Sequence, residues 1–138
     1  MVVGGPHPSL MTKEVLANEK IDYIITREGE ISFVELLKDI EKGVKPARIV
    51  EGRMPDLDAL PFADRELFSD LEYPLPVEGF EPPFVTIIAG RGCIYNCKFC
   101  QPAERSIFGK KVRRRNVDNI IDELKILREK YNFNSLMI

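Results

Sequence analysis

Apolar positions recur along this chain at two spacings, and their alternation predicts an α/β organisation. Met1 to Val3 is an apolar strand that stops at the turn Gly4-Gly5-Pro6. Thr12 is expected to cap a short helix running through Asn18, and Ile21 to Ile25 reads as a buried strand ending at Arg27-Glu28-Gly29-Glu30. From Ile31 to Lys42 the residues Phe33, Leu36, Leu37 and Ile40 return at helical spacing, with Gly43 as the stop.

Beyond Gly52 the periodicity fades and prolines gather at 55, 61, 74, 76, 82 and 83, the mark of a linker. A second α/β pattern then opens with a strand from Phe84 to Ala89. It continues into a helix from Val117 to Tyr131 whose inward face is Val117, Ile120, Ile121, Leu124, Leu127 and Tyr131. Asn116 is placed to cap that helix, Asp118 suits its dipole, and Glu123, Lys125 and Arg128 form the expected wet face. Ser135 to Ile138 begins another strand. The predicted divisions are residues 1–52, a proline-rich linker at 53–83, and 84–138. Each half has only two or three strands, fewer than an open parallel sheet or a barrel needs, so both folds are expected to be truncated.

Composition narrows the partners. The chain has 138 residues, 44% of them hydrophobic, and its 20 basic and 22 acidic side chains leave a net charge of -2. No global field draws in nucleic acid or a membrane surface. The one basic block, Lys110-Lys111-Val112-Arg113-Arg114-Arg115, lacks interleaved aromatics and reads as a solvated strand or loop, so nucleic acid is not an expected partner. No apolar run approaches the roughly 20 residues that span a bilayer. Residues 1–5 carry no basic leader, and a cytoplasmic location is expected.

The chemistry concentrates in the cysteines. There are three, all between positions 93 and 100, an odd and crowded set that suits metal better than structural disulfides. The loop Gly90-Arg91-Gly92-Cys93-Ile94-Tyr95-Asn96-Cys97-Lys98-Phe99-Cys100 follows a strand directly. Thiolates ligate iron-sulfur clusters, ordinarily four to a 4Fe-4S core, and the chain has no fourth cysteine. One iron would then keep an open position, as at a catalytic metal. Structural zinc wants four protein ligands, and the single histidine, His7, lies far off in sequence and reads as a hydrogen-bonded loop residue. An electron-transfer or structural iron-sulfur or zinc module stands as the alternative, and it calls for a fourth ligand.

The spacing Cys-x-x-x-Cys-x-x-Cys, with Phe99 before the last cysteine, resembles the signature of the radical S-adenosylmethionine superfamily. The resemblance implies that Cys93, Cys97 and Cys100 each hold one iron of a 4Fe-4S cluster, that S-adenosyl-L-methionine chelates the fourth, and that Phe99 packs near the adenine. It implies reductive cleavage of that cofactor to a 5'-deoxyadenosyl radical, fed by a reductant such as flavodoxin or ferredoxin. Residues 84–138 would begin a partial (β/α)6 TIM-like barrel.

Residues 1–52, through Val2-Val3-Gly4-Gly5, Asp22-Tyr23-Ile24-Ile25 and Arg27-Glu28-Gly29-Glu30, resemble the end of the Rossmann-like cobalamin-binding domain found in one subfamily. The resemblance makes Gly4, Gly5, Glu28, Gly29 and Glu30 candidates to face cobalamin. The segment Leu57 to Phe62 resembles that subfamily's interdomain joint, while the histidine motif that presents a ligand to cobalt is absent. The implied parent is a cobalamin-dependent methyltransferase-like or cyclase-like enzyme acting on a small molecule, or on a lipid-like or tetrapyrrole-like substrate. The chain alone is expected to be inactive. Methylthiotransferases, a related class, carry three further cysteines that this chain does not offer.

Overall fold

Short parallel strands and the helices between them make up both halves of the computed structural model, which describes residues 1–68, 79, 81–98 and 103–138. In chain order, β1 (Val2–Gly4), α1 (Pro6–Leu10), α2 (Thr12–Leu16), β2 (Tyr23–Thr26), α3 (Glu30–Glu41) and β3 (Ile49–Glu51) come first. A 3-10 turn (Glu66–Phe68), β4 (Phe84–Thr86), β5 (Gly90–Arg91), α4 (Ala103–Phe108), β6 (Arg113–Arg114), α5 (Val117–Tyr131) and β7 (Ser135–Met137) follow. β5 and β6 form a two-stranded sheet.

Contacts divide the chain into two units that do not follow sequence order: Met1–Asp56 with Arg91–Arg113, and Leu57–Gly90 with Arg114–Ile138. In the first unit β1, β2 and β3 lie side by side and parallel, with Val3 opposite Ile24 and Ile25 opposite Val50. The middle strand is apolar because helices cover it, and Ile24 is fully buried at its centre. Val15, Ile21 and Ile24 form that core, with Val3 and Leu16 against it. Arg48 closes the sheet's lower edge by donating from Nη2 to the carbonyl of Ile21 at 2.9 Å.

In the second unit β4 pairs parallel to β7, Val85 opposite Leu136. α5 packs on the pair, so Val85, Ile87 and Leu127 are buried with Ile120, Leu124, Tyr131 and Phe133 around them. Asn116 caps α5 as expected, its side chain accepting from the Asp118 amide at 3.1 Å, and Asn132 in the left-handed region ends it. The architecture is mixed α/β with parallel sheets, and no barrel closes among the described residues.

Several expectations from patterning change. Of the helical stripe in α3 only Leu36 is buried, while Phe33, Leu37 and Ile40 stay about 40% exposed, because three strands of three or four residues cannot cover the whole face. In α5, Val117 and Ile121 face outward for the same reason, over a two-stranded sheet. Glu123, expected on the wet face, is 4% exposed and paired with Arg115 and Arg65. Thr12 is not a cap: Met11 precedes α2, and the Thr12 hydroxyl donates back to the carbonyl of Pro8 at 2.7 Å. His7 lies in α1 rather than in a loop, and it is exposed. No helix among the described residues is long and apolar enough to cross a membrane.

Candidate metal centre

The cysteine loop lies within the first unit and begins with a glycine whose backbone no other residue adopts easily. Gly92 has φ +93°, and a Cβ there would run into the backbone oxygen of Lys111. Only a bare backbone lets residues 92 and 111 approach this closely. Cys93, next in line, is half-buried and Cys97 is exposed, and both are free thiols. Between them, Arg105 of α4 donates from Nη1 to the carbonyl of Tyr95 at 2.8 Å. Ile107, 2% exposed, anchors that helix. Phe99 and Cys100 lie outside the described residues.

Arg91 leads into the loop and is held tightly. Its Nη1 donates to Glu28 Oε2 and to Glu30 Oε1, each at 2.6 Å, and its guanidinium lies 5.9 Å from the centre of the Phe108 ring. Burial disfavours the charge on Arg91, but the hydrogen bonds to Glu28 and Glu30 outweigh it and hold the pKa above the ordinary arginine value. Arg113 pairs with the other oxygen of Glu28 and also donates to the carbonyl of Pro55 at 3.1 Å. Glu28, 2% exposed, therefore has both oxygens taken.

The structure brings Glu28 and Glu30 to the start of the cysteine loop. Gly4 and Gly5 sit at the carboxyl end of β1, where Gly5 has φ +94° and open space around its Cβ position. Gly29 follows β2, and a Cβ there would touch Ile25. This edge is where open parallel sheets gather ligands. Arg91, Arg105 and Arg113 are site residues that sequence reasoning missed. Arg113 belongs to the basic block, whose signal was its charge alone. Arg115, in the second unit, is likewise occupied, donating to Asn119, Glu123 and the carbonyl of Ile88.

The donor chemistry suits a soft metal core. Cys93 and Cys97 lie on one short loop as free thiols, which thiolate ligation of an iron-sulfur centre requires. Among the described residues no group of three or more His, Cys, Asp or Glu gathers as a metal site. The third cysteine is outside that set.

No family model matches the chain, and no solved structure matches it. Curated proteins do. Over 99% of its length the chain is 30% identical to an uncharacterized methyltransferase of Pyrococcus horikoshii, covering 32% of that protein. A putative methylthiotransferase of Methanocaldococcus jannaschii is 30% identical over 81% of the chain, which covers 24% of it. The bacteriochlorophyllide d C-12(1)-methyltransferase of Chlorobaculum tepidum is 25% identical over 94%, with 27% of its length covered. The chain thus spans a third or less of these relatives, and over 99% and 94% of its own length it is similar to two proteins named as methyltransferases.

Proposed function

We propose that this chain carries the cluster-binding segment of a radical S-adenosylmethionine methyltransferase. The observation that supports it most is the cysteine loop: thiols at 93, 97 and 100, with free Cys93 and Cys97 on a turn that only Gly92 permits, in a chain related to methyltransferases. Cys93, Cys97 and Cys100 would hold a 4Fe-4S cluster, leaving one iron for S-adenosylmethionine. That group, when bound, supplies the electron that cleaves S-adenosylmethionine to a 5'-deoxyadenosyl radical. The chain's own part is to hold the thiols in register: Gly92 sets the turn and Arg105 fixes the carbonyl of Tyr95 between the first two ligands. Phe99 would pack near the adenine.

Cobalamin, as a partner in methyl transfer, would meet the carboxyl edge of β1 and β2 near Gly4, Gly5, Gly29 and Glu30, where Gly5 leaves open space. The substrate class is a small molecule, in line with the bacteriochlorophyllide named for one relative, and the reductant is a flavodoxin or ferredoxin type. A methylthio transfer is the second reading, favoured by the Methanocaldococcus jannaschii relative.

Anaerobic reconstitution of the chain with ferrous iron and sulfide should load about four irons, and the reduced cluster's EPR signal should change when S-adenosylmethionine is added. Stoichiometric zinc, or a cluster spectrum indifferent to S-adenosylmethionine, would overturn the proposal.

A further inference from the structure

The segment Arg91–Arg113, which carries the cysteine loop and α4, begins and ends on the same carboxylate. Arg91 at its entry donates to Glu28 Oε2 at 2.6 Å, and Arg113 at its exit pairs with Glu28 Oε1. All three residues belong to one compact unit. A buried carboxylate with both oxygens paired to guanidinium groups is costly to assemble, and removing it leaves Arg113 without a carboxylate and Arg91 with Glu30 alone. Such a group fixes geometry more than it adds stability.

The chain around Glu28 is itself held in an unusual path. Arg27 has φ +58°, a left-handed conformation that is strained for a non-glycine residue. Its amide donates to Ser9 Oγ at 2.8 Å, which keeps it there. On the far side Gly52 approaches so closely that a Cβ would strike the carbonyl oxygens of Thr26 and Glu28. The turn aims the Glu28 side chain inward, to 2% exposure.

We infer that Glu28 is a positioning residue of the cysteine loop, acting through Arg91 and Arg113 to set where Cys93 stands. This deepens the iron-sulfur reading of the same loop and rests on it for the effect on iron, but the effect on the thiols does not need a cluster. Arg91 is two positions from Cys93, so a slackened Arg91 frees the first thiol before Cys97.

Two readouts on the full chain test it. In the metal-free protein, iodoacetamide labelling of Cys93 and Cys97 is followed by mass spectrometry of residues 92–98. Glu28→Gln should raise the Cys93 rate about tenfold and leave Cys97 nearly unchanged. In the reconstituted protein the same variant should lose at least about half of its iron or shift the EPR signal of what remains. Arg91→Lys should lie nearer the parent than Arg91→Met in both, a rescue that a mere packing role does not give. If Glu28→Gln does not fold by circular dichroism, this lysine and methionine pair carries the test. A folded Glu28→Gln with parental labelling, or Lys and Met variants that behave alike, overturns the assignment. A parent chain that takes up no iron while the labelling difference persists sinks the cluster reading and leaves Glu28 as the holder of the loop.

Discussion

Arg115 Nη1 donates to Glu123 Oε2 at 2.5 Å across two turns of chain, although Glu123 belongs to a helix position that patterning assigns to solvent. The same carboxylate takes Arg65 Nη1 at 3.4 Å, and it is 4% exposed. Removing one member of a buried ion pair strands the other. Glu123→Ala should therefore cost about 3 kcal/mol, and Arg65→Ala, whose side chain is 24% exposed, clearly less. Urea unfolding followed by circular dichroism measures both, and equal costs would contradict the ranking.

Gly92→Ala places a methyl group against the Lys111 carbonyl at φ +93°. Strain of about 1–3 kcal/mol from the backbone alone is expected, and the collision adds to it. The melting temperature should fall by several degrees, and iron uptake should fall further than stability does, because the shift occurs beside Cys93. A variant that melts lower yet takes up as much iron as the parent would separate the turn from iron uptake.

Gly52→Ala tests a close approach rather than a dihedral. The Gly52 amide donates to the Thr26 carbonyl at 2.9 Å, and backbone atoms alone line the space a Cβ would need. No flexible side chain can yield there. The expected loss is at least about 3 kcal/mol, against about 1 kcal/mol for Gly43→Ala, where the Cβ meets open space and only the dihedral is strained. Denaturation midpoints of the two variants provide the comparison.

Lys130 offers a titration. Its amine donates to Glu66 at 2.6 Å, and that hydrogen bond holds its pKa above the ordinary lysine value. A raised folded pKa means the pair's contribution is present below the ordinary lysine range and fades as pH rises through the folded value. Both side chains are exposed, so the effect on stability is slight. In Glu66→Gln the Lys130 amine should titrate at lower pH by NMR, and an unchanged midpoint would mean the pair does not persist in solution.

Local signals carried the fold further than the site. The apolar run around Ile24, the cap at Asn116 and the strand opening at Ser135 all stand where patterning put them, because each depends on neighbours within a few positions. Helical spacing also found α3 and α5, but not which residues on their stripes are covered, since that depends on the width of the sheet beneath. Glu28 and Glu123 were harder. Their partners lie 63 and 85 residues away for Glu28, and 8 and 58 for Glu123, and ion pairs at such separations leave no periodic trace. The cysteine spacing was plain to see, whereas the arginines that frame it read only as charge.

A designer who wished to move the sulfur-bearing octapeptide into another scaffold would learn something from Arg105. Its grip on the Tyr95 carbonyl comes from a helix downstream of the thiols, while Arg91 leans on acids more than sixty residues upstream. The motif is therefore not portable as a short string: a graft of residues 90–100 alone would carry the thiols without the contacts from 28, 30, 105 and 113 that hold the described part of the loop.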